Sequence, residues 1–177
     1  MATRKDYQPV VIAYVVCIAA AIGTLWWIHG AYPQSEWRPL WAGFAADFVA
    51  TVVIFIYSRV YKNSSFYDPY WSVIPPLLMI YWMLCYPASV DSLRVWIMLA
   101  LVWAWGIRLT ANWSIYWPGL HHEDWRYPLV RERAGRFAIP ADFMGIHFFP
   151  TVQVFLGCLP ILVVVQNPSA PLGWLDA

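Results

Sequence analysis

The stretch VVIAYVVCIAAAIGTLWWI, residues 10–28, runs for nineteen positions without a charged side chain. About 20 apolar residues in helical form cross the roughly 30 Å hydrocarbon core of a bilayer. A spanning segment is helical because lipid offers no partner for open backbone N–H and C=O groups. The stretch therefore predicts a membrane helix, and four similar runs follow it. They cover 40–57, which includes Asp47; 70–86, with Pro75 and Pro76 near its start; 95–111, which includes Arg108; and 143–165, which includes His147, Pro150, Gln153 and Pro160. The expected fold is all-α, a polytopic membrane helical bundle of about five transmembrane helices in a single domain over 1–177. The prolines predict kinks within helices rather than breaks into strands.

Composition points the same way. Hydrophobic residues make up 61% of the 177 positions and charged residues 12%, against about 45–50% and about 25% in soluble domains. A water-soluble chain of this size has too much surface for its volume to hide that much apolar material. The apolar N-terminal run follows Arg4 and Lys5, as a signal peptide would. It lacks a clear small-residue cleavage site and similar runs follow it, so it is expected to be retained as the first helix. A net charge of +1, with no basic face interleaved with aromatics, argues against nucleic acid.

Charge placement predicts orientation. With the N-terminus cytoplasmic, eight of the eleven basic residues fall inside: Arg4, Lys5, Arg59, Lys62, Arg126, Arg131, Arg133 and Arg136. Arg38 and Arg94 fall outside, and Arg108 lies near the inner end of the fourth helix. This asymmetry is the positive-inside pattern. Residues 112–142 then form a cytoplasmic loop. Trp26, Trp27, Trp37, Trp41, Trp71, Tyr86, Trp113 and Trp117 are expected at the headgroup level, where amphipathic rings are favoured.

Few polar residues remain to carry chemistry. A carboxylate in mid-helix costs several kcal/mol unless paired, protonated or hydrated, so Asp47 is read as a proton donor, a substrate anchor, a partner for Arg108 or a packing acid. Arg108 and Asn112 lie one turn apart on one helical face, a reasonable phosphate or carboxamide site unless Arg108 snorkels. Asp68 before Pro69 reads as a helix N-cap, and Asp68, Tyr70 and Ser72 put polar groups where a ligand could enter. Glu123-Asp124-Trp125-Arg126-Tyr127 lies close to Arg131, Arg133 and Arg136, enough cation for nucleotide phosphates or for anionic lipid. No metal site is expected. His121 and His122 are adjacent rather than one helical turn apart, and Cys17, Cys85 and Cys158 are far apart with no CxxC. His147 and Gln153 fall on opposite faces of their helix and are not expected to share a site. Phosphate-binding glycine loops, GxSxG and HExxH are all missing.

From Asp68 onward the chain resembles the membrane-embedded steroid 5-alpha-reductase-like family, in particular its bacterial branch. Three landmarks carry the resemblance: Asp68-Pro69-Tyr70-Trp71-Ser72, Trp105-Gly106-Ile107-Arg108-Leu109 with Asn112, and Glu123-Asp124-Trp125-Arg126-Tyr127 with Leu129 and Arg131. It implies NADPH-dependent reduction of a carbon–carbon double bond conjugated to a carbonyl in a lipid-like, steroid-like substrate. On that basis Asp68 and Tyr70 are the expected catalytic residues, with Asp47 an alternative acid. Arg108, Asn112, Asp124, Arg126 and Tyr127 are expected to face the cofactor. The family's C-terminal portion, with an arginine-histidine-proline-asparagine-tyrosine type motif, supplies much of the cofactor site, and no such motif occurs in these 177 residues. The expectation is an N-terminal membrane portion of such a reductase, surrounded by membrane lipid and placed in a bacterial inner membrane. A non-catalytic integral membrane protein and an S-adenosylmethionine-dependent methyltransferase of the same superfamily are the alternatives.

Overall fold

The structure, a computed structural model, describes residues 2–169 and residue 173. The sequence also leads one to expect a short, Pro-rich end over 166–177 on the outer side; it falls partly on residues 170–172 and 174–177, outside the described residues. The described residues are helical, with no strand among them. Helix α1 spans Arg4–Ala31, α2 Arg38–Tyr61, α3 Tyr70–Cys85 and α4 Leu93–Tyr116. Three further helices follow: α5 at Arg126–Ala134, α6 at Ala138–Asp142 and α7 at Phe149–Gln166. The result is a helical membrane bundle. Its long apolar faces stay exposed, as they must where lipid rather than protein covers them: Val15, Ile22, Leu101 and Leu156 all point outward.

Among the described residues, four helical stretches, against about five expected, are long and apolar enough to span a membrane: Arg4–Ala31, Arg38–Tyr61, Leu93–Tyr116 and the composite Arg126–Gln166. The expected third span is present as α3, but it has 16 residues. At 1.5 Å per residue that is about 24 Å, short of the roughly 30 Å core. Its length is set by Pro69 before it and Pro87 after it. Yet α3 occupies the middle of the bundle, with nine of its residues buried, including Tyr70, Ile74, Met79 and Trp82. Its two ends meet different partners. Trp82 donates its indole N–H to the Pro39 carbonyl at 3.2 Å, and Tyr81 pairs with His29 at 2.9 Å. The chain just before α3 meets the 120s loop instead, where the Asn63 amide donates to the carbonyls of Leu120 and His122 at 2.9 Å each. The second of these ends, the arginine-rich end, also holds Asp6, which accepts from the Leu120 N–H.

The first two landmarks of the sequence meet where α3 packs on α4. Pro76 has no N–H, so the Ser72 carbonyl loses its intrahelical donor. Gly106 of α4 comes so close to that carbonyl that a Cβ at this position would sit 2.5 Å from it. Small residues allow such helix contacts in membranes, with Cα–H groups facing carbonyls. The Ser72 and Thr110 hydroxyls, 2.9 Å apart, close the same contact.

The region expected to be a 112–142 loop is largely helical. Helix α4 continues to Tyr116, and only residues 117–125 are irregular before α5 begins. Polarity suggested a loop here, but ion pairs rather than apolar burial hold this segment. The expected helix over 143–165 is also divided. A π-helical turn spans Phe143–Phe148 and ends two residues before Pro150, which cannot donate a backbone hydrogen bond. Asp68 does not cap α3; Pro69 stands at that position without a side-chain cap. Trp117 is buried within the protein rather than exposed, stacked with Trp113 at 5.0 Å and edge-on to Tyr7 at 5.3 Å. Trp26, Trp27 and Trp37 are exposed, as ring anchors at a membrane surface would be.

The Gly106 contact leaves no room for a methyl group. Gly106→Ala should force α4 away from α3 and cost about 1–3 kcal/mol. Thermal unfolding in detergent checks this, with Gly157→Ala, where a Cβ meets nothing within 4 Å, as the neutral control.

Candidate functional site

A cavity of about 1100 Å³ lies between α1, α2 and α3. Small residues on α2, Gly43, Ala46 and Ala50, open the space, and Ile18, Leu25 and Leu78 wall it. One acidic side chain, Asp47, lines it at depth, whereas His29, Glu36 and Arg38 stand at the end away from the arginine-rich cluster. The Tyr70 hydroxyl donates to Asp47 Oδ1 at 2.7 Å and also approaches the Asp47 carbonyl at 2.8 Å. Asp47 Oδ2 has no hydrogen-bond partner among the described residues.

Behind Tyr70 lies a layer of buried hydroxyls. Thr51 donates to the Tyr70 oxygen at 3.1 Å and lies 2.8 Å from Thr151. Tyr67 lies 2.7 Å from Thr151, and Thr151 donates to the His147 carbonyl at 2.8 Å. The Tyr67 and Tyr70 rings stack at 4.9 Å. Burial pushes the Tyr67 phenol above its ordinary range, which keeps it protonated as a donor.

A second polar group fills the arginine-rich end. Asp142 is fully buried, with Ser64 donating to both its oxygens at 2.9 and 3.0 Å and Arg131 lying 3.1 Å away. Arg131 also pairs with Glu123, and Glu123 accepts the Ser64 N–H at 2.6 Å. His147 Nδ1 sits 3.4 Å from Asp142 and its Nε2 3.0 Å from the Ser58 hydroxyl. In an α-helix, residues five apart point about 140° away from one another. The π-helical turn brings Asp142 and His147 to one side. Beside this group, Tyr127 donates to Asp68 at 2.5 Å, and Arg126 grips Asp124 through Nε and Nη2 at 2.8 Å each. Burial raises the Asp68 carboxyl above the usual carboxylate range, while its bond from Tyr127 opposes this. The Arg126 guanidinium holds Asp124 below that range.

The structure thus joins Asp47 with Tyr70 and separates Asp68 from both phenol and cavity, since Asp68 is held by Tyr127. Arg108 and Asn112 lie exposed on α4, on the side turned away from Gly106 and Thr110, and make no hydrogen bond among the described residues. Asp124, Arg126 and Tyr127 do come together with Asp68, but they satisfy one another. Arg126 spends two of its N–H donors on Asp124, and Tyr127 spends its proton on Asp68. Of the five residues expected to face NADPH, Asp124, Arg126 and Tyr127 come together beside Asp68, whereas Arg108 and Asn112 do not join them.

Several site residues were not legible in the sequence. Thr51 and Thr151 are single hydroxyls in apolar runs, and Asp142 sat at the edge of a segment read as loop. A carboxylate directly before an apolar run was the available signal for Asp142. Gln153, by contrast, is exposed and joins neither group.

Two outcomes follow from this wiring. Arg131→Met strips the buried Asp142 of its main cation and should cost about 2–3 kcal/mol, read as a lowered unfolding midpoint. Asp68 binds its proton more tightly folded than unfolded. Its effect on stability is therefore most favourable at acid pH and declines as pH rises through its raised value. Asp68→Asn should remove that decline, and pH-dependent unfolding of both proteins measures it.

Neither a curated protein nor a solved structure matches the chain. Comparison with protein families does match it, over residues 54–177. That range takes in the end of α2, α3, α4, Tyr70 and the arginine-rich network except Asp6, whereas Asp47 and Thr51 precede it. The chain belongs to the family described as "Protein of unknown function (DUF1295)".

Proposed function

We propose that this chain supplies the substrate-binding and carbonyl-polarising part of a membrane reductase, acting on a conjugated carbon–carbon double bond in a steroid-like or other lipid substrate. The observation that carries the reading is the Asp47–Tyr70 pair on the wall of the cavity. The cavity's volume, about 1100 Å³, suits a large apolar molecule. Its lining offers such a molecule few polar partners except at the two ends.

The chemistry assigned to these residues is electrostatic. A carboxyl group at membrane depth, with a phenol rather than a cation beside it, is carried as the neutral acid, because an unpaired carboxylate there costs several kcal/mol. Tyr70 gives its proton to Oδ1 and fixes the group's orientation. Oδ2 then carries the acid proton toward the cavity and donates to the substrate carbonyl. Negative charge grows on that oxygen when hydride reaches the β-carbon, so the hydrogen bond strengthens as the reaction proceeds. A proton added at the α-carbon completes the reduction. The family resemblance makes NADPH the implied reductant. Since Asp124, Arg126 and Tyr127 are closed on one another, the part assigned to this chain is the polarisation of the carbonyl, not the holding of the nucleotide.

The non-catalytic alternative draws on one observation. The polar groups of the arginine-rich end satisfy each other, as groups that only lock helices together would. The two readings part at Asp47. A locking role needs no ligand in the cavity.

A steroid enone serves as the probe. Binding to the detergent-purified chain should shift the enone absorption to longer wavelength, as a strong hydrogen bond to its carbonyl demands. Asp47→Asn and Tyr70→Phe should reduce the shift while leaving affinity within about threefold. In membranes supplied with NADPH, the same variants should lower reduction by roughly a hundredfold. An unshifted spectrum on saturable binding would sink the reductase reading, as would full turnover in both variants.

A further inference from the structure

The mouth of the cavity holds a guanidinium that is only partly used. Arg38, the first residue of α2, donates through Nη1 to the Tyr32 carbonyl at 3.1 Å. Its Nε is sealed from solvent and has no hydrogen-bond partner. The Nε–Nη2 edge of a guanidinium is one of its two side-on faces for a carboxylate, two parallel N–H donors matched to two oxygens. Here that edge is unspent among the described residues. A turn of the side chain about its outer torsions presents it to the cavity, and the N–H left unpaired at rest gives that turn its driving force. His29, bonded to Tyr81 at 2.9 Å, stands on the same rim.

Asp47 and Arg38 are nine residues apart on α2, about 13 Å along the helix axis at 1.5 Å per residue. Between them the lining is apolar: Pro39, Gly43 and Ala46 on α2, facing Leu25 and Leu78. The cavity therefore offers two polar stations separated by a dry passage. One is an acid that faces a carbonyl, and the other is a cation at the mouth. Glu36 shares that rim, and its negative charge disfavours a doubly charged headgroup. A single guanidinium next to a carboxylate side chain is matched to a monoanion.

We propose that the cavity takes an amphiphile carrying a carboxylate, seated on Arg38 with its apolar body directed toward Asp47. The substrate class is then a lipid acid whose reactive carbonyl lies about 13 Å from its carboxylate. This rests on reading the cavity as a substrate site and adds to it the identity of the headgroup.

The test uses the purified full chain in detergent at neutral pH. The probes are a fluorescent polyene fatty acid and its methyl ester, which share an apolar body and differ in charge. The wild-type protein should bind the acid at least about tenfold tighter than the ester, the scale of one charge-assisted hydrogen-bonded pair. Arg38→Gln should bring that ratio close to one by weakening the acid alone. Arg38→Lys should keep most of the preference, and its helical circular dichroism reports that the fold survives substitution at this position. Equal affinity for acid and ester in the wild type would overturn the headgroup assignment and leave the lipid cavity standing. A preference that survives Arg38→Gln would overturn it too. Binding of neither probe by a folded sample would overturn both this proposal and the cavity reading beneath it.

Discussion

Asp142 has no exposed surface, and four side chains are arranged around the charge it carries. Ser64 gives it a hydroxyl, Arg131 and Arg59 give it cations at 3.1 and 3.6 Å, and His147 stands 3.4 Å away. Glu123 then neutralises the remainder of Arg131. An ion removed from water is stable only if its lone pairs are filled, so this one acid dictates much of its neighbourhood. It pins the end of α2, the 3₁₀ turn over Ser64–Tyr67, α5 and the start of the last helix to one another. The π-helical turn follows from the same demand, because it lets residues 142 and 147 point at one centre.

That knot has a consequence for the rest of the bundle. With the arginine-rich end drawn tight, the hydroxyl layer of Tyr67, Thr51 and Thr151 packs directly beneath it. The open volume lies on the other side of that layer, between α1, α2 and α3. Polar pairing thus closes one end of the molecule, and small residues on α2 leave the other half open. Asp47 sits at the boundary, bonded to Tyr70 on one side and facing the cavity on the other.

α3 shows why length and role are separate matters. It is too short to qualify as a span, yet it lines the cavity, supplies Tyr70 to Asp47 and meets Gly106 of α4. Its prolines shorten it and also free the Ser72 carbonyl that Gly106 approaches. The proline that weakens it as an isolated helix thus also shapes its contact with α4.

Read alone, the sequence determined the class of fold. Apolar runs of membrane length carry their meaning locally, because lipid forbids an unpaired backbone whatever the neighbours are. The clustering of basic residues at one end was legible too, and Asp47, Tyr70 and the 123–127 segment stood out as polar groups in an apolar chain. The sequence did not say who pairs with whom. Tyr70 bonds to Asp47, 23 positions away, rather than sharing a site with Asp68 two positions away. Ser58 meets His147 across 89 positions. Such pairings depend on which helices become neighbours and in what rotation, and a one-residue change in helical register turns a side chain by about 100°. The helices hidden in 112–142 were missed because ion pairs, not apolar periodicity, hold them. The cavity was invisible because it is defined by what three separate helices leave unfilled.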